Sequence, residues 1–426
     1  MTLTLNLDDA ATDQHTRRAL SDISLSIAKR KKIVVVTGAG ISCSCGIPDF
    51  RSSDGLYALV KEQYPDVVLK GRDLFDAALF RDPTSTAVFY TFIAQLKRSI
   101  DAAEPAPTHH FIKTLDTKKK LLRSYTQNID GLEARVGLLG SSCHEAKSTR
   151  GKTKIRVKDI RNVQLHGDIH RVRCIACSAD YPCSEEYLQL FQSGKAPECP
   201  ECLSRSEARI ARSARAIRVG SLRPGIVLYD ETHPLSDDIG SIHTADLGKK
   251  PDMLIIMGTS LKVHGLKKLV KDFARSIHSI TSTASSGSKK PCKVIFVNKT
   301  APGSEWSDII DCHISGETDA WTTKVIEDWK KMRPADWEVQ QTLVAGVGET
   351  SMSGGLQHVK SRVSATAKGK NLPRERENVA PLMAESSPSK DLFPGEKPIA
   401  PLSPSKRRQK ASHYDDVNSS PSKRQT

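Results

Sequence analysis

Runs of apolar residues that end in glycine or small polar residues set the rhythm of this chain. Ile33-Val34-Val35-Val36 is short, β-branched and followed by glycine, which predicts a strand buried on both faces in a parallel sheet. Leu121 to Thr126 predicts a second strand, running out into Gln127-Asn128-Ile129-Asp130-Gly131. Leu222 to Leu228 predicts another, with the polar end Tyr229-Asp230-Glu231. Met253 to Met257 and Lys293 to Val297 predict two more, closing in Gly258-Thr259-Ser260 and in Asn298. Between them the apolar period lengthens to that of helices. Leu20, Ile23 and Ile27 mark a helix leading into the first strand, and Leu74, Phe75, Leu79, Phe89, Phe92, Ile93 and Leu96 mark packed helices over 72–99. A helix starts near Pro105 to His110, with Thr108 as its N-cap, and 267–275 predicts an exposed basic helix. Strands alternating with helices predict an α/β fold with a doubly wound parallel sheet. The polar strand ends then line one crevice, where open α/β sheets bind ligands.

The loop Thr37-Gly38-Ala39-Gly40-Ile41-Ser42 sharpens this expectation. A strand, then Gly-x-Gly, then a helix start makes a phosphate cradle of free N–H groups. The loop continues into Gly46-Ile47-Pro48-Asp49-Phe50-Arg51, which a bound dinucleotide would order. A hydride-transferring enzyme would carry an acidic residue about twenty positions past the glycines, at a strand end. Asp54 and Glu62 fall in a segment without strand character, so that reading loses its ribose contact.

Composition adds a second layer. The chain has 426 residues, net charge +15, 38% hydrophobic and 5% aromatic content. So few aromatics in so long a chain predict that part of it is unfolded, and the charge predicts an acidic partner, nucleic acid or chromatin. Residues 1–30 form the lead-in, 31–333 the folded domain, and 334–426 a disordered basic tail rich in Ser, Pro and Lys. The tail repeats Ser-Pro-Ser-Lys at 387, 403 and 420, the pattern of proline-directed, cyclin-dependent kinases, and Lys406-Arg407-Arg408-Gln409-Lys410 reads as a nuclear import signal. No run of 18 apolar residues and no charged-then-apolar leader is present, so neither membrane insertion nor secretion is expected. Over 145–162 seven Lys and Arg crowd against Glu145 and Asp159 without apolar period, predicting a surface insertion, solvated or in contact with phosphates.

Cys174-x-x-Cys177 and Cys199-x-x-Cys202 are two knuckles 21 residues apart. Each places two thiolates on one side, and together they complete a tetrahedron for zinc. Four thiolates leave no open position, so the metal is structural, in a module spanning about 165–220. Cys183 is a spare thiol. His109 and His110 are adjacent on a helix, point in different directions and read as structural.

Taken in order, Gly38-Ala39-Gly40-Ile41-Ser42, Gly46 to Arg51, Thr126-Gln127-Asn128-Ile129-Asp130, His166-Gly167, the cysteine pairs, Gly258-Thr259-Ser260 and Val297-Asn298 resemble the sirtuins over about residues 30–330. The resemblance implies a Rossmann-like domain with an inserted zinc-ribbon module, and NAD consumed as a co-substrate. It implies that His166 is the general base, with Asn128 beside it. Gly38, Ala39, Gly40 and Ile41 would meet NAD, Asp49, Phe50 and Arg51 would hold the loop over the nicotinamide ribose, and Asn128, Ile129 and Asp130, next to Gln127, would line the nicotinamide pocket. Gly258, Thr259 and Ser260 would meet phosphate and ribose, Asn298 the adenosine ribose, and Thr318 would stand where sirtuins often place a cysteine by the adenine. Val227, Leu228 and Tyr229 would border the acyl-lysine peptide. Leu222-Arg223-Pro224 running into Tyr229-Asp230-Glu231 is most similar to the fungal nuclear branch that deacetylates histone H3, with a role in chromatin silencing and genome stability. Tyr57 with Val60, and Tyr64 with Val67, lack the Tyr-x-x-Arg pair of the acidic-acyl branch. A mono-ADP-ribosyltransferase and a non-enzymatic zinc-containing chromatin binder are the competing expectations.

Overall fold

The ends of β2 Ile33–Thr37 and β8 Met253–Met257 lie side by side, and the molecule is arranged around that pair. The computed structural model describes residues 2–49, 55–63, 65, 71–141, 159–280 and 292–338. Phe50, Arg51, the side chains of Tyr57, Val60, Tyr64 and Val67, residues 145–158 of the basic insertion, the loop at 282–290 and the tail from 339 lie outside the described residues.

The remaining strands are β1 Leu3–Asn6, β3 Leu121–Thr126, β4 Asn162–Gln164, β5 Gly167–Cys174, β6 Asp180–Pro182, β7 Leu222–Ile226, β9 Val294–Val297 and β10 Cys312–Ser315. Seven form one sheet in the order β1-β10-β9-β8-β2-β3-β4, all parallel. Side chains alternate across it. Ile33, Val35, Ile255 and Met257 pack with helices Gln14–Lys29, Pro107–Thr117 and Thr318–Met332. Val34, Val36, Leu254 and Ile256 pack with helix His264–Ser279 on the other face. Every residue of β2 and β8 is buried, which is why their sequences are unbroken apolar runs rather than alternations.

A second sheet, β6-β5-β7, is antiparallel and lies in the lobe that contains the four knuckle cysteines. That lobe recruits an earlier segment: helix Pro83–Ala102 packs against helix Glu185–Gln192, with Tyr90 stacked on Phe191 at 5.0 Å. Both lobes belong to one unit, Met1–Leu343.

Several expectations change. The strand at 222 belongs to this small sheet, not the large one, and Pro224 explains why: it donates nothing to a ladder and sits on the edge strand β7. The helix over 267–275 is one side of His264–Ser279, whose Leu266, Leu269, Val270, Phe273, Ala274 and Ile277 are buried, so it is a core helix with a basic outer face. Thr108 is not an N-cap. Ala106 holds that place, Pro107 begins the helix, and the buried Thr108 hydroxyl donates to Asp319 at 2.5 Å. The cradle leads into two 3₁₀ turns, Ala39–Ile41 and Cys43–Cys45, rather than an α-helix. β1 is an added edge strand, whose Leu5 alone of its residues is buried. Ile160 and Asn162, at the end of the basic stretch, are buried in and beside β4. At the other end packing continues past Arg333 to Trp337, whose ring meets Trp329 at 5.3 Å. No helix among the described residues is long and apolar enough to cross a membrane.

Candidate active site

The sheet reverses its order at β2, with β3 on one side and β8 on the other. The loops leaving β2 and β8 therefore separate above a crevice. They first touch. A Cβ on Gly40 would lie 2.8 Å from Gly258 Cα, and one on Gly258 would lie 2.6 Å from Ile41 N. Gly258 also has φ +62°. The glycines are thus required by backbone meeting backbone across the switch point. Gly258→Ala is expected to destabilise the fold by roughly 2–4 kcal/mol, from positive φ plus a clash with main chain that cannot rotate away. Gly46→Ala is the control, because its φ is +82° but nothing lies within 4 Å; it should cost about 1 kcal/mol. Equal losses in denaturant melts would show that the contact carries nothing.

Above the glycines opens a cavity of about 810 Å³. It brings together Ala39, Gly40, Asp49, Gln127, Asn128, Ile129, His166, Val227, Leu228, Tyr229, Gly258, Thr259, Ser260 and Asn298. Gly38, Ile41, Asp130 and Thr318 do not line it: Gly38 lies beneath Thr259, Ile41 and Asp130 are buried just behind, and Thr318 is buried at the start of its helix.

His166 sits between β4 and β5, with Nδ1 3.0 Å from the Gln127 carbonyl oxygen. That oxygen only accepts, so the ring proton is on Nδ1 and Nε2 is the basic nitrogen. The main chain fixes the same residue from the other lobe, since Val227 N–H donates to His166 O at 2.9 Å. His166 is therefore held by the loop after β3 through its ring and by the edge that follows β7 through its main chain.

Behind it runs a buried polar chain. Asn128 Nδ2 donates to Ser42 Oγ at 3.1 Å, and Ser42 Oγ donates to Asp130 Oδ2 at 2.8 Å. Asp130 Oδ1 accepts from Leu132 N. Asn128 Oδ1 is buried and has no partner among the described residues, so the wall offers one acceptor for a hydroxyl or amide of a ligand. The Gln127 side chain accepts from Thr259 Oγ1 at 2.6 Å and ties the β3 exit to the β8 exit. Asn298 donates to Thr300 Oγ1 at 2.7 Å.

Glu133 is wholly buried under this chain, 3.5 Å from the Thr37 hydroxyl. Burial, then the Asp130 charge, pushes its carboxyl up to about 8 from an ordinary 4.5. Between those values the folded chain keeps a proton that the unfolded chain has released, so this group makes stability fall as pH rises across the window. Glu133→Gln keeps the shape and should flatten that fall in melting temperatures taken from pH 5 to 8. Parallel profiles for the two proteins would refute the protonated carboxyl.

Sequence reasoning missed part of the wall. His233, Ser236, Ile239, Lys262, Leu266 and Leu269 also line the cavity. His233 is structural, with Nε2 2.8 Å from Leu165 O and Nδ1 accepting from Leu235 N, and burial holds its pKa down. Lys262 is the only lysine or arginine among the described lining residues; its signal was its place just after the second glycine turn.

In the smaller lobe the Sγ atoms of Cys174, Cys177, Cys199 and Cys202 all lie within 4.8 Å of one another. Cys174 and Cys202 are 3.8 Å apart, Cys177 and Cys199 3.6 Å. Zinc–sulfur bonds of about 2.3 Å at tetrahedral angles place sulfurs about 3.8 Å apart. The cluster fits a structural zinc ion, with Cys183 outside it.

A doubly wound sheet with a glycine-walled crevice, a tautomer-fixed histidine and a four-thiol lobe defines a class: nucleotide-site α/β proteins with a zinc-clamped second lobe. The Sir2 family model matches residues 38–265, and the chain belongs to the Sir2 family. It is 43% identical over 319 residues to NAD-dependent histone deacetylase HST3 of Candida albicans, covering 74% of this chain and 63% of that one. With NAD-dependent histone deacetylase HST3 of Saccharomyces cerevisiae it shares 41% over 319 residues, 74% of this chain and 68% of that one. The chain thus spans about two thirds of the length of these relatives. A solved structure from work on the mechanism and regulation of Sir2 enzymes matches with TM-score 0.51 and 25% identity, over 74% of this chain and 100% of that chain.

Proposed function

We propose that this protein is an NAD-dependent protein-lysine deacetylase acting on acetylated histone, H3 first. The observation that carries the reading is His166: a base with its proton fixed on Nδ1, placed where the glycine-walled cavity meets the 227–229 edge. Membership of the Sir2 family and the names of the fungal relatives support it.

The cavity residues fit NAD, since the wall supplies an unpartnered acceptor at Asn128, a glycine floor and a cation at Lys262. NAD supplies an activated ribose carbon and nicotinamide as leaving group. Ala39 and Gly40, with Gly38 and Ile41 behind them, would hold the dinucleotide, Ser260 and Thr259 would meet phosphate and ribose, and Asn298 would meet the adenosine ribose. Asn128, Ile129 and Gln127 would close the nicotinamide side, and Asp130 acts through Ser42 to orient Asn128. Asp49 approaches from the rim, with Phe50 and Arg51 next in sequence. Val227, Leu228 and Tyr229 border an acetyl-lysine peptide added as an extended strand. His166 Nε2 would accept a proton from a ribose hydroxyl of bound NAD, while the Gln127 carbonyl keeps the Nδ1 proton in place and would stabilise the charged ring. The overall reaction this would serve exchanges the ribose–nicotinamide bond of NAD and the acetyl–lysine amide bond, with one water, for free lysine, nicotinamide and O-acetyl-ADP-ribose.

The reading extends to a nuclear protein of chromatin, with a part in silencing and genome stability, whose Ser-Pro-Ser-Lys repeats are cyclin-dependent kinase sites. The test is mass spectrometry of an acetylated H3 peptide with and without NAD. Acetyl loss that needs NAD and yields equimolar nicotinamide is expected. Labelled NAD marking a protein while acetyl groups remain would put ADP-ribosyl transfer in its place.

A further inference from the structure

The zinc lobe carries a surface that the proposed reaction does not use. From Leu203 to Val219 the chain has five arginines, Arg205, Arg209, Arg212, Arg215 and Arg218, against one carboxylate, Glu207, and all five arginines are exposed. Arg205 and Arg209 lie on helix Pro200–Ile210, which the cluster cysteines Cys199 and Cys202 anchor at its start. The other three follow on the segment that returns to β7. Arg205 pairs with Glu201 at 2.8 Å. No ion pair holds Arg209, Arg212, Arg215 or Arg218 among the described residues.

Two contacts orient this group. Arg209 Nε donates to Arg215 O at 2.8 Å, folding the segment back beside the helix, and Arg212 Nε donates to Ala208 O at 3.0 Å. A guanidinium held through Nε keeps its terminal N–H groups for an outside acceptor, and these donors suit phosphate oxygens. The intervening positions are mostly small: Ser204, Ala208, Ala211, Ser213, Ala214 and Ala216. Short side chains at these positions leave room for a phosphate backbone to approach the projecting arginines. Like charges gathered without partners repel one another, and an anionic polymer relieves that repulsion. Because the helix is clamped by the cysteine cluster, the charges are held in place before any partner arrives.

We infer that this arginine-rich end of the zinc lobe is a docking surface for the phosphate backbone of duplex DNA. The sequence is not specified by it, since backbone contacts position a protein without reading bases. The inference does not rest on deacetylation, and its test uses neither NAD nor peptide. Ile210 and Ile217, 59% and 37% exposed among the arginines, mark the rival occupant, an acidic protein surface.

The full chain is titrated into a fluorescent duplex of about 20 base pairs over roughly 50–200 mM salt. Arg209→Gln/Arg212→Gln/Arg215→Gln should weaken binding about tenfold or more, and lower the slope of log affinity against log salt by about 0.9 per lost phosphate contact. The triple lysine variant at the same positions should keep the wild-type slope. Zinc content equal to wild type in both variants shows that the lobe is intact, and the single variant Arg215→Gln serves if the triple variant loses metal. An unchanged slope and affinity would overturn the inference. So would weaker binding at an unchanged slope, which would mean that the segment meets its partner through Ile210 and Ile217 and not through phosphates.

Discussion

His166→Ala lowers NAD-dependent deacetylation by roughly 10²–10⁴-fold, the range a positioned general base contributes, and leaves the melting temperature and NAD binding close to wild type. The separation of effects follows from geometry. The side chain is half-buried and its Nδ1 bonds to the Gln127 carbonyl, so its removal leaves no buried charge and little packing is lost. The main-chain bond from Val227 to His166 O survives the substitution and keeps the two lobes in register. The measurement is kcat/KM on an acetylated histone peptide, with nicotinamide release followed in the same reaction. Nicotinamide release that persists while deacetylation stops places His166 after the loss of nicotinamide. A variant that deacetylates at the wild-type rate removes His166 from the chemistry, because His233, the other histidine among the described lining residues, uses both ring nitrogens on Leu165 O and Leu235 N and cannot take its place.

The parts of this site that local sequence rules express were legible. Strand ends that pass into Gly, Asn or Ser were readable because a buried strand must stop in residues that turn and bond. The four cysteines were readable because their spacing is itself the geometry of two knuckles. Other features depended on partners far along the chain. The role of Gly40 was read as room for a phosphate, but its neighbour is Gly258, more than two hundred positions on, and no local pattern reveals that contact. The strand at 222 had the right period and joined the wrong sheet, since pairing is decided by β5 and by Pro224 at the edge. The exposed reading of 267–275 counted its lysines and stopped short of the apolar stripe Leu266, Val270, Phe273, Ile277 that a longer window shows. Glu133 was invisible for a different reason. It follows Asp130 by three residues, an ordinary spacing for two surface acids, and only the fold buries both.

Cys199→Ser is expected to have the largest structural effect, and it should act on one lobe. Cys199 is wholly buried, 3.6 Å from Cys177. A serine there cannot supply the fourth thiolate, and apparent zinc affinities in small modules are worth about 10–16 kcal/mol of folding free energy. The loss spreads because the cluster is part of a core. Cys174, Cys199 and Cys202 pack with Leu188, Phe191 and Leu222, and through Phe191 with Tyr90 of helix Pro83–Ala102. β7 pairs with β5 between Cys174 and Gly167, so the segment that leads into Val227, Leu228 and Tyr229 is anchored by the same lobe. The large sheet has its own two cores and none of the four thiols. The purified variant should therefore carry less than about a tenth of the wild-type zinc. It should lose peptide turnover and expose 167–226 to protease, while β2, β3, β8 and β9 stay protected from hydrogen exchange. Cys183→Ser changes a half-buried thiol outside the cluster and should keep both metal and turnover. Uniform loss of protection across both sheets would mean that the two lobes unfold as one unit, and a metal-loaded, active Cys199→Ser protein would show that three thiols suffice.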